Sequence, residues 1–147
     1  MEWNYPVLRH FLVCYQPPHA VVADWSDVTL RPVFGLRPNR PYPLRLRCLH
    51  TFVQVSDAQG TFEFAVEMYQ SGGHEPLAFA EEEIDFAFQN PLAIFSFVRF
   101  FEAPPFPSAG LYEFRLFVRM LRDPNGAVVH HQRQLLGTEP LLMEAHS

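Results

Sequence analysis

Two segments of this chain place apolar side chains at every second residue, with mostly polar ones between. In the first, Phe62, Phe64, Val66 and Met68 alternate with Thr61, Glu63, Ala65 and Glu67; in the second, Tyr112, Phe114, Leu116, Val118 and Met120 alternate with Glu113, Arg115, Phe117 and Arg119. Successive side chains of a strand point to opposite faces, whereas a helix would need apolar spacing of three and four. Both segments therefore read as strands whose even residues face a core. Their charges complement each other. Glu63 and Glu67 sit opposite Arg115 and Arg119 if the two strands are antiparallel neighbours.

Elsewhere the 14 prolines and 7 glycines cut the chain into runs without helical spacing, so the expected class is all-β. Asp57-Ala58-Gln59-Gly60 reads as a hairpin turn joining 44–55 to the Thr61 strand. Asp123-Pro124-Asn125-Gly126 reads as one joining the Tyr112 strand to 127–136, because proline presets φ and glycine accepts a positive one. Gln70-Ser71-Gly72-Gly73-His74 turns the chain into 77–88, and Gln89-Asn90-Pro91 breaks it before 93–101. Further strands are expected over 9–15 and 28–34, the second at an edge or bulged because of Pro32. Pro38, Pro41 and Pro43 then make a rigid connection. About eight short strands in one domain, 1–147, favour an immunoglobulin-like sandwich of two mostly antiparallel sheets; an eight-stranded barrel is the alternative. Residues 1–8 are expected to cover the domain and 140–147 to form a loose tail.

Gly110, two residues before Tyr112, opens a late strand at the place where immunoglobulin-like domains carry a tyrosine corner. The order of an N-terminal strand with Cys14, a Thr-Leu-Arg-Pro-Val-Phe-Gly strand, a central meander, the segment Ala103-Pro104-Pro105-Phe106-Pro107 and Gly-Leu-Tyr-Glu-Phe-Arg-Leu-Phe-Val resembles an uncharacterised family of short cytoplasmic bacterial proteins. The resemblance implies an immunoglobulin-like β-sandwich and a cytoplasmic site. It implies no activity, ligand or functional residue.

All 11 basic residues are arginine, so phosphate-loop, Schiff-base and Ser-Lys chemistry are excluded for want of lysine. A net charge of -5 and arginines that look scattered argue against nucleic acid. No apolar run approaches the roughly 20 residues of a membrane span, and the acidic start Met1-Glu2 is no signal-peptide n-region; a cytoplasmic protein is expected. Cys14 and Cys48 are too few for a disulfide framework or a four-thiolate zinc site. Three constellations invite a chemical reading. Cys48 and His50 share a strand face, a nucleophile beside a base, but a small buried hydrophobe explains the cysteine as well. His130-His131 would point to opposite faces of a strand and cannot share an ion. Glu81, Glu83 and Asp85 form a carboxylate row on one face, which could hold Ca²⁺ or dock a basic partner; a solvated face laddered with Arg45 and Arg47 is the favoured reading, because a flat strand lacks the loop geometry of Ca²⁺ ligation. No metal or cofactor is expected.

The segment 94–101 is apolar on both faces, with Phe95, Phe97 and Phe101 on one and Ile94, Val98 and Phe100 on the other. One face must then be covered, either by a segment carrying Trp3, Tyr5 and Trp25 or by a second chain at Phe97 and Val98. Trp3 and Trp25 also suit a ligand-stacking platform. These features lead to an expected non-catalytic domain that works through protein contacts, as accessory or scaffold subunit or as a homodimer. A small-molecule or carbohydrate-binding sandwich and a cysteine-dependent enzyme centred on Cys48 are the alternatives.

Overall fold

The computed structural model describes residues 5–15, 33–47, 49–86 and 94–146. Among them there is no helix. The strands are β1 (Val7–Tyr15), β2 (Gly35–Leu36), β3 (Leu44–Arg45), β4 (Leu49–Ser56), β5 (Thr61–Gln70), β6 (Ala78–Asp85), β7 (Phe95–Phe100), β8 (Pro105–Phe106), β9 (Gly110–Arg122) and β10 (Gln134–Met143). They form a five-stranded sheet in the order β2-β10-β9-β5-β6, a three-stranded sheet β1-β4-β7, and the short pair β3-β8. The class is all-β.

The two alternating segments are β5 and β9, and they pair antiparallel at the centre of the larger sheet, with Glu63 opposite Arg119 and Glu67 opposite Arg115. Their even residues are the floor of the core. Phe62, Phe64, Val66, Met68, Tyr112, Phe114, Leu116, Val118 and Met120 are at most 1% exposed. The smaller sheet adds Phe11, Val13, Leu49, Val53 and Val55 to the same core. Phe97 of β7 packs on Phe64 at 5.1 Å between ring centroids, and Phe101 meets Phe114 edge-on at 5.4 Å. Full burial of such a side chain contributes roughly 1.5–3 kcal/mol, so these facing aromatic layers hold the two sheets together. Side chains also meet between the edges of the two sheets. Gly137 of β10 lies against Leu8 and Phe11 of β1, and Arg99 of β7 pairs with Glu82 of β6 at 3.1 Å.

The turn at Asp57–Gly60 is not a hairpin. β4 pairs with β1 and β7, and the chain then crosses to the other sheet, with Asp57 at φ 61° and Gly60 at φ 104°. The turn after β9 does close a hairpin: Gly126 N–H donates to Asp123 O at 2.9 Å, and Asp123 Oδ1 accepts from the amides of Asn125 and Ala127. Its return strand, however, spans Gln134–Met143 rather than 127–136. Residues 140–143, expected in a loose tail, pair with β9 and bury Leu141 and Met143. The run 44–55 splits into β3 and β4, and most of the strand expected over 28–34 lies outside the described residues.

Of the cover expected for 94–101, only Tyr5 is among the described residues, and it lies elsewhere. Tyr5 packs edge-on against Phe62 at 5.3 Å and parallel to His131 at 5.9 Å, so it does not lie over β7. Trp3 and Trp25 lie outside the described residues. Phe95 and Phe97 turn inward, towards Phe86 and Phe64, whereas Ile94 is 62% exposed.

Candidate functional site

The outer face of the five-stranded sheet carries a connected set of ion pairs, hydrogen bonds and ring stacks. The odd residues of β5 and β9 lie on it, placed there by the same alternation that buries the even ones. Arg133, just before β10, crosses the ring of Phe117 with its guanidinium 4.0 Å from the centroid and forks onto Glu67 at 2.9 and 3.2 Å. Tyr69 Oη donates to the same carboxylate at 2.7 Å. Arg115 lies 4.0 Å over the Tyr69 ring and donates to Glu113 at 3.0 and 3.3 Å, while Arg119 forks onto Glu63 at 2.9 and 3.2 Å. A planar guanidinium can stack on a ring and hold a carboxylate bidentately at once, so one strand is clasped to the next by side chains.

Electrostatics follow the geometry. Burial alone would raise the pKa of Glu67, but the hydrogen bonds from Arg133 and Tyr69 and the charges of Arg133 and Arg115 outweigh it and hold the carboxyl below its usual range. Glu67 therefore stabilises the fold above the ordinary glutamate pKa, and that contribution is lost as pH falls through its own lowered value. Tyr69 is shifted upward, by burial and then by its bond to Glu67.

Beside this lattice, edge strand β6 turns Phe79, Glu81, Glu83 and Asp85 to the same side. Phe79 stands opposite Glu67 and is 68% exposed, and Glu83 stands opposite Glu63. The expected carboxylate row exists. The expected ladder with Arg45 and Arg47 does not, because Arg45 pairs with Pro105 and donates to Ala103 O at 2.8 Å.

Of the other residues singled out, Phe97 turns towards the core, partly buried against Phe64, while Val98 points the other way and is half-buried. Tyr112 is fully buried against Phe106, its hydroxyl donating to Ser108 O at 2.6 Å, with Gly110 at φ 139° between them. Tyr112→Phe is expected to cost about 1 kcal/mol, read from the denaturant midpoint. Cys48 lies outside the described residues. His50 is buried on β4 directly opposite Cys14, with its ring 5.1 Å from Phe100. Burial pushes the free Cys14 thiol up to about 11, which removes thiolate at neutral pH. Cys14 should thus resist thiol reagents until the chain unfolds; rapid modification of native protein would contradict this. His130 and His131 precede β10 rather than sit in a strand. Both line a groove of about 410 Å³ with Glu83 and Arg119, so opposite strand faces do not separate them. Among the described residues no group of three His, Cys, Asp or Glu side chains is arranged to hold a metal ion.

Two features escaped the sequence. Glu139 lies on the inner side of β10, opposite Phe114, and burial raises its pKa. A raised carboxyl weakens the fold once pH exceeds the ordinary glutamate value, so Glu139→Gln should raise the denaturant midpoint at pH 7, and the gain should vanish on acidification. The second is a cleft of about 560 Å³ lined by Arg37, Arg40 and Arg47 with Tyr15, Leu36, Leu46 and Met143. Its signal was present, since 28–56 holds five arginines and no Asp or Glu.

No family model, curated protein or solved structure matches the chain. Among the described residues no helix is long and apolar enough to cross a membrane.

Proposed function

We propose that this protein is a non-catalytic domain of immunoglobulin-like sandwich type that acts through protein contacts, as an accessory or scaffold subunit. The observation that carries the reading is the outer face of the five-stranded sheet. Phe117, Arg115 and Arg133 are locked there, Arg133 stacked on Phe117 and Arg115 on the buried Tyr69 ring, and Phe79 protrudes beside them. Aromatic residues and arginine dominate the energetics of protein interfaces, and side chains already held in place lose little entropy when a partner docks. On this face Arg115, Arg119 and Arg133 are each paired with a carboxylate, which leaves Glu81 and Glu83 in excess. The partner surface is therefore basic, with an apolar recess for Phe79.

Affinity capture from native extract with the wild-type chain and with Glu81→Arg/Glu83→Arg tests this. The wild type should retain a protein that elutes at raised salt and that the variant does not hold. Reversing the basic residues of that protein should restore its binding to the variant. Equal capture by both chains would refute the reading.

A further inference from the structure

We propose that the arginine-lined cleft is a binding site for a small phosphate monoester with an apolar body, separate from the sheet face described above. Its three guanidiniums come from one segment of 11 residues, 37–47, which contains no acidic residue. On a chain of net charge -5 this is a local reversal of sign, and a concave one, which strengthens the field a ligand meets.

The segment is held before any ligand arrives. Leu36 at its start pairs in parallel with Met143 of β10, and Leu44 pairs with Phe106 of β8. Between them Tyr42 Oη donates to Glu144 O at 2.6 Å, and Pro38, Pro41 and Pro43 restrict the backbone. Donors remain for a ligand. Arg47 pairs with no group among the described residues, Arg40 spends one nitrogen on Arg45 O, and Arg37 meets Glu144 only at 3.7 Å with both side chains well exposed. An exposed pair of that length is weak, so an anion can displace it. A carboxylate would be satisfied by one guanidinium fork; three forks suit a dianion with three terminal oxygens. Leu36, Leu46 and the Tyr15 ring supply the apolar wall that a phosphate alone would leave unused, with the buried Met143 behind them.

The test is calorimetric titration of the full-length chain at fixed ionic strength with phenyl phosphate, benzoate and inorganic phosphate. Phenyl phosphate should saturate one site at least about tenfold more tightly than either of the others. Arg47→Gln should weaken it by about tenfold or more with an unchanged melting temperature, because Arg47 makes no contact the fold needs, and Arg47→Lys should recover part of the loss. Arg37→Gln should weaken it as well. No saturation by about 10 mM phenyl phosphate, equal affinity for benzoate or for inorganic phosphate, or an Arg47→Gln titration identical to wild type would each overturn the proposal.

Discussion

Truncating Phe114 to alanine is expected to destabilise the protein by roughly 3–5 kcal/mol, a loss comparable to the whole stability of many domains of this size. The ring is fully buried in the central strand of the larger sheet, beside Met68 of β5, and receives Phe101 edge-on from beyond β7. Removing it deletes transfer free energy and leaves a cavity that neither neighbouring strand can close, because both are held by backbone pairing on each side of it. Phe117→Ala, in the same strand but on the outer face beneath Arg133, should cost clearly less, since the space it leaves opens to solvent. Equal midpoints for the two variants in urea would show that β9 does not separate a core from an outer face.

Gly60→Ala should be the most damaging change outside the core, at about 2 kcal/mol or more. Gly60 has φ 104°, and a Cβ there would stand 2.5 Å from Arg122 O, a backbone atom that no side-chain rotation can move aside. Left-handed backbone costs an L-residue roughly 1–2 kcal/mol before any clash is counted. The position matters because the chain leaves one sheet for the other here, and Phe86 N–H donates to Gly60 O at 2.8 Å, tying the turn to the end of β6. Gly72→Ala is the control. It also has a positive φ, 79°, but a Cβ would meet nothing within 4 Å, so it should bear the conformational cost alone. If Gly60→Ala were no worse than Gly72→Ala, the close approach to Arg122 would carry no weight.

What could be read from the sequence follows from how local each signal is. β5 and β9 were legible because one face of each is buried, which forces a period of two, and their register was legible because Glu63 and Arg119 stand directly opposite each other. The turn at Asp57–Gly60 was legible as a turn and misread as a hairpin, since turn chemistry states that the chain reverses and not which sheet the next strand joins. β10 was misplaced because 127–133 follows a good turn yet pairs with β9 only through isolated contacts, such as Arg122 with Val128. Within the interaction face the carboxylate row of β6 was visible as a spacing. The clasp of Arg133 on Glu67 was not, because it joins residues 66 positions apart across an intervening strand. The arginine cleft is invisible in the spacing of single arginines along the chain; the absence of acids between them, over 28–56, is the informative pattern.

The location of the partner surface is tested most directly by dissociation constants for the captured partner with three chains: wild type, Phe79→Ala and Ile94→Ala. Phe79 and Ile94 are similarly exposed, but Phe79 stands on the outer face of the five-stranded sheet and Ile94 just before β7 of the smaller one. Loss of an anchoring aromatic weakens binding by about tenfold or more, so Phe79→Ala should do so while Ile94→Ala stays within about twofold of wild type. The reverse pattern, with Ile94→Ala weakened and Phe79→Ala unchanged, would place the partner on the other sheet and contradict the account.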